Sequence, residues 1–155
     1  MLVDNKNKEF KCREFPKEVN VQKGIDRLSY GMNIYKLTRK GKSAKKLVTF
    51  YISDEDATKL QWISHLKDVR NSRLDLCTVS SVSDSPSFPL PKKMKLSIPL
   101  LLTIFYGSDQ NLLLIFQNPE EKMEWWAGLE YFIQRAQNYR RLNPYLPFLF
   151  LLIDF

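Results

Sequence analysis

Apolar and polar positions follow a two-residue period through most of the middle of the chain and a helical period only near its end. Residues 29–38 (SYGMNIYKLT) alternate as a strand does. RKGKSA then brings a glycine and small polar side chains, a turn composition. Residues 45–53 (KKLVTFYIS) are rich in β-branched and aromatic side chains and read as the return strand of a hairpin. KLQWIS at 59–64 reads as a third strand, with Leu60 and Trp62 on one face. RLDLCTV at 73–79 reads as a fourth, with Leu74 and Leu76 inward and Asp75 outward, and SSVSD as a short fifth. Pro86, Pro89 and Pro91 exclude regular structure from residues 83–95, which predicts a flexible excursion. SIPLLLTIFY and NLLLIFQN, parted by GSDQ, predict two apolar strands joined by a tight turn, with Pro99 tolerable near the start of the first.

The period changes at residue 118. Asn118 suits an N-cap, Pro119 the first helical position and Glu121 the third. Trp125, Leu129, Phe132, Ile133 and Ala136 recur at spacings of three and four, which is one face of an amphipathic helix. At 3.6 residues per turn it has about five turns. It is the one long helix the pattern predicts, and its stripe is expected to plug an otherwise open all-β core. Residues 1–24, polar and charged with Pro16 and Gly24, read as a flexible arm with a helical turn near Val19.

Composition adds a size and a sign. A chain of 155 residues is one domain's worth, and its 10 Phe, 7 Tyr and 3 Trp can fill a core. The net charge of +7 favours an anionic partner: acidic lipid, nucleic acid or an acidic protein face. Cys12 and Cys77 are too far apart in sequence for a zinc-ligand spacing and too few for a disulfide framework. MLVDNKNKEF has no apolar run, so no secretory leader is expected and a cytoplasmic setting is. With one His, two separated Cys and no phosphate-cradling glycine loop, the sequence predicts neither an enzyme nor a cofactor nor a metal.

The charge is concentrated. Lys36, Arg39, Lys40, Lys42, Lys45 and Lys46 crowd the tip of the first expected hairpin, and no acid stands between Asp26 and Asp54. Lys67 and Arg70 occupy a second basic loop at 65–72, and Arg73 follows it. Each cation near an acidic leaflet contributes about 1 kcal/mol, so such a cluster supports reversible recruitment. The plainer role for the same lysines is to solubilise an exposed hairpin and blunt its edges.

Seven strands followed by one helix is the element order of a pleckstrin homology (PH) domain, and several residues carry the resemblance. Trp125, Gly128 and Leu129 in EWWAGLEYFI resemble the signature of that family's capping helix. Gly31, Lys36 and FYISD resemble its opening hairpin, and KLQWIS, RLDLCTVSSV and LTIFYGSDQNLLLI resemble its later strands. Within the family the chain is most similar to the N-terminal PH domain of phosphoinositide-specific phospholipase C. It also resembles, particularly at RKGK, the plant proteins that join such a domain to a chromosome-condensation-regulator propeller and a zinc-binding lipid module.

The resemblance covers residues 25–138 and implies a mainly β fold, a seven-stranded sandwich or barrel capped by one C-terminal helix. It implies two nearly orthogonal sheets, with an open end between the first and third hairpin loops that accepts inositol phosphates in many members. Lys36 would face the phosphates, Lys45 and Lys46 would enter strand two, and Lys67 would sit in the loop after strand three. Where tight-binding members carry an arginine before the aromatic pair, this chain has Thr49, which has no bidentate fork for phosphate.

The expected function is a non-catalytic phospholipid-binding module, reversibly at membrane surfaces. Its lipid-binding residues would be Lys36, Arg39, Lys40, Lys42, Lys45, Lys46, Lys67 and Arg70. Its partners would be phosphoinositides, phosphatidic acid or phosphatidylserine. The competing expectation is a protein-interaction PH domain with little lipid binding. Nucleic acid is not an expected partner, because the charge comes without exposed aromatics at recognisable spacing. Residues 139–155 read as an apolar tail. Eleven of them, 145–155, are nearly all apolar and too few to span a bilayer; the readings open to them are packing on the domain, dipping into a membrane interface, joining a protein partner, or a segment of no fixed structure.

Overall fold

Continuous hydrogen bonding joins seven antiparallel strands in the order β4-β3-β2-β1-β7-β6-β5. The strands are β1 (Met32–Leu37), β2 (Lys45–Ile52), β3 (Lys59–Ile63), β4 (Arg73–Asp75), β5 (Val79–Ser83), β6 (Leu101–Tyr106) and β7 (Gln110–Ile115). Two helices flank them, α1 (Val21–Tyr30) and α2 (Pro119–Leu142). This computed structural model describes residues 10–37, 45–53, 57–63, 73–86, 89–90 and 92–142. Among them, no helix is long and apolar enough to cross a membrane.

The architecture is the expected sandwich of seven strands capped by a C-terminal helix. The two layers are not separate, because β1 pairs with β2 on one side and with β7 on the other. The sheet's two edges, β4 and β5, are linked by a 3-10 turn at Leu76–Thr78, and α2 stoppers the gap between them. Gln137 Nε2 donates to the carbonyls of Leu76 and Val79, at 3.3 and 3.0 Å.

The inner faces of the strands supply Ile34, Val48, Phe50, Ile52, Leu60 and Trp62, among others. Against them α2 presents Trp125, Leu129, Phe132, Ile133 and Ala136, the stripe its period predicts. Asn118 caps this helix, its Oδ1 accepting the Glu121 N–H at 2.8 Å. Asn118→Ala is therefore expected to cost about 1 kcal/mol of stability, read as a lower urea midpoint with an unchanged slope. The helix runs to Leu142, four residues past the boundary placed at 138, because QNYRR continues the helical pattern until Pro144 disfavours it. The rest of the apolar tail lies outside the described residues.

Three expectations need correction. Residues 29 and 30 belong to a helix, and β1 starts at Met32. Asn20 caps that helix by accepting the Lys23 N–H, and Gly31 ends it at φ 97°, donating to the Arg27 carbonyl. The helix spans the boundary placed at residue 24, and the arm from Phe10 to Phe15 packs on the core through both phenylalanines. Sequence pattern missed α1 because Gly24 interrupts its short apolar face; that glycine is what lets it dock.

The second correction concerns residues 83–95. Lys92–Leu100 form a 3-10 helix, and Met94 is 4% exposed. The helix begins just after Pro91, and Pro99 is the one proline inside it. Met94 joins Leu37, Leu101, Leu113 and Ile115 in a second, smaller core on the outer face of the sheet. β6 and β7 are thus buried on both faces, which is why LLTI and LLLI run apolar without alternating.

The third concerns strand limits. Leu76–Thr78 leave the fourth strand for the 3-10 turn, and Ser97–Leu100 belong to the 3-10 helix rather than to β6.

Candidate anion-binding site

The inner face of β1 runs Met32, Ile34, Lys36, since alternate residues share a side. On β2 the same face runs Ile52, Phe50, Val48, Lys46. The register sets Lys36 directly opposite Lys46. Two apolar columns that line the core therefore end, at the same height, in a pair of lysines. On the other side of β1 the partner of Lys36 is the buried Leu114.

Trp62 completes the arrangement. It stands opposite Phe50 on β3, and its ring centroid is 5.1 Å from the Lys36 Nζ. A cation over an indole face gains about 0.5–1 kcal/mol at an exposed site. Phe50 supports the indole in turn, with ring centroids 5.5 Å apart. Lys36 and Lys46 are both half-buried. The pair thus sets two cationic side chains side by side where the inner face ends.

Of the eight basic residues expected to bind lipid, the structure brings together Lys36 and Lys46. Lys45 lies in β2, paired in register with Leu37. Arg39, Lys40, Lys42, Lys67 and Arg70 lie outside the described residues. The segments that carry them leave from Leu37 and Ile63, the ends of the two strands that hold Lys36 and Trp62.

Thr49 faces the opposite side of β2 from Lys46, and its Oγ1 donates to Asn33 Oδ1 at 2.6 Å. It is engaged in a cross-strand hydrogen bond rather than aimed at an anion. Sequence reading placed Trp62 with Leu60 on one face of a strand; it is part of the core, and it also underlies Lys36. The signal was available, because alternation from Leu60 and from Ile34 sends Trp62 and Lys36 to the same inner face.

No protein-family model matches the sequence, and no curated protein matches it. Solved structures do. Inner Membrane Complex sub-compartment protein 1 from Toxoplasma gondii aligns with a TM-score of 0.60 at 12% identity, over 79% of this chain and 97% of that one. The C-terminal PH domain of human pleckstrin aligns with a TM-score of 0.53 at 16% identity, over 69% and 87%. PLC21 of L. pealei aligns with a TM-score of 0.55 at 17% identity, over 81% of this chain but only 17% of that much longer one.

The chain has the PH fold. These identities do not set the phospholipase match apart from the others, so the shared property is architecture.

Proposed function

We propose that this chain is a non-catalytic module that brings a protein reversibly to cytoplasmic membrane surfaces by binding anionic phospholipid, a phosphoinositide or another acidic lipid. The observation that carries this reading is the Lys36–Lys46 pair, set opposite each other at the end of the inner face with Trp62 beneath. The sequence-level kinship with the PH domains of phospholipases C and of the plant proteins belongs to the same reading. Lysines are point charges on flexible stems, and Thr49 has no bidentate fork, so charge density is expected to dominate over headgroup stereochemistry. Arg39, Lys40, Lys42, Lys45, Lys67 and Arg70 add to the field that the pair begins.

Pelleting with vesicles is the test. Phosphatidylcholine vesicles doped with a phosphatidylinositol phosphate or with phosphatidylserine should sediment the protein, and undoped vesicles should not. Lys36→Ala with Lys46→Ala should cost about 2 kcal/mol, roughly thirtyfold in partition. Binding should weaken as ionic strength rises and the Debye length shrinks. Sedimentation that ignores acidic lipid, or that survives the double substitution unchanged, rejects the reading.

A further inference from the structure

On another part of the molecule, away from the lysine pair, a groove of about 1220 Å³ runs between β5, α2 and the N-terminal arm. We propose that it is a second binding site, taking an extended polypeptide segment whose backbone pairs with the free edge of β5 and whose cationic side chain reaches Glu130.

The wall is an open sheet edge. Among the described residues β5 is the last strand of the sheet and pairs only with β6. Phe10, Lys11 and Arg13 stand across the groove from it, yet among the described residues no backbone hydrogen bond joins the arm to β5. Gln137 occupies the Val79 carbonyl at the near end of the strand. Sheet edges are ordinarily blunted by charge, proline, bulges or cover. The VSSVS of β5 has neither charge nor proline, and its one register shift lies at the near end, between Val79 and Ser81. Its five residues span about 17 Å, the length over which an added strand pairs.

The floor holds an acid with no cation in ion-pair contact among the described residues. Glu130 is 3% exposed and lines the groove. Its two carboxylate oxygens accept the Arg13 N–H, each at 3.2 Å. Among the described residues no cation lies within ion-pair distance of it. The Arg13 guanidinium instead stacks on Trp126, 4.3 Å from the ring centroid. Burial pushes the Glu130 carboxyl up to about 7, against the lowering effect of the Arg13 N–H and charge. A ligand ammonium or guanidinium brings an opposite charge into direct contact with it. The volume exceeds the range typical of small-molecule pockets and suits a chain of several residues.

The site shares no residue with Lys36, Lys46 or Trp62, so it stands or falls apart from lipid binding. Other charged or titratable groups around the groove are Lys11, Cys12 and Arg13 of the arm and Cys77 and Asp84 on the β5 side, with Lys122 of α2 acting on Asp84 and Arg13. Burial raises both thiols above their ordinary 9.0.

The test uses three acetylated, amidated hexapeptides, TVKVTV and its counterparts with glutamate or norleucine in place of lysine, titrated into isotope-labelled protein. The lysine peptide should move the amide resonances of Val79–Ser83 and bind about tenfold tighter than the norleucine peptide. Its affinity should rise as pH passes upward through 7, where Glu130 loses its proton. Glu130→Gln keeps the shape and should abolish both the lysine preference and the pH dependence. Three results overturn the proposal. One is that the β5 resonances stay in place with the lysine peptide at about 2 mM, a concentration that detects even weak association. The others are equal affinity for the glutamate peptide, and lysine-peptide shifts confined to another face.

Discussion

Trp125→Ala is expected to lower the unfolding free energy by about 4 kcal/mol. The indole is fully buried at the centre of the α2 stripe. It lies 6.1 Å from the Phe50 ring, nearly edge-on, and 5.4 Å from Phe116. Truncation removes the apolar contact and leaves a cavity that a sheet paired on both sides of β1 cannot collapse to fill. A domain of this kind holds about 5–15 kcal/mol in total, so the variant would be marginal.

The indole Nε1 is buried without a hydrogen-bond partner among the described residues. Trp125→Phe therefore sheds an unsatisfied donor along with some volume and should keep most of the stability. Urea unfolding of the two variants separates volume from polarity. Equal losses would show that the packing account is wrong.

The second large effect runs against helix propensity. Gly24 and Gly128 lie in the middle of α1 and α2, where alanine in place of glycine ordinarily gains about 1 kcal/mol. Here the two helices touch backbone to backbone. A Cβ on Gly24 would overlap the Glu124 carbonyl oxygen and sit 2.9 Å from the Gly128 nitrogen. A Cβ on Gly128 would overlap the Gly24 carbonyl and sit 2.7 Å from the Ile25 nitrogen. These neighbours are backbone atoms and cannot rotate aside.

Gly24→Ala and Gly128→Ala should each destabilise by about 2–3 kcal/mol, since overpacking outweighs propensity. The double variant should lose less than the sum, because the first methyl already parts the helices. Arg27, whose guanidinium reaches Glu121 and Glu124 at 3.4 Å each, would lose both ion pairs as α1 lifts. Faster amide exchange confined to α1 would mark that separation, and a gain in stability from either alanine would contradict the contact.

The elements that were legible in the sequence are those whose signals are local. The inward alternation of Val48, Phe50 and Ile52 marks a strand with one face buried. The Asn118–Pro119–Glu121 start marks a helix whatever surrounds it. Less local features misled. Gly24 read as the looseness of an arm, because nothing near it in sequence announces Gly128, 104 positions on by the difference of their numbers. The prolines of 83–95 read as an excursion, because the need to cover Leu37, Leu101 and Leu113 arises only once β1, β6 and β7 are side by side. The same holds for function: a count of lysines was visible, and which of them oppose each other was not.

By itself the sequence determined seven strands, their order along the chain, the capping helix and the sign of the charge, since periodicity, caps and composition act over a few residues. Tertiary structure decided that Lys36 meets Lys46 above Trp62, that α1 lies against α2, and that β5 and Glu130 line one groove. Each of these depends on register and approach between segments far apart in the chain. There the physics is steric fit and the burial of charge, which no local pattern encodes.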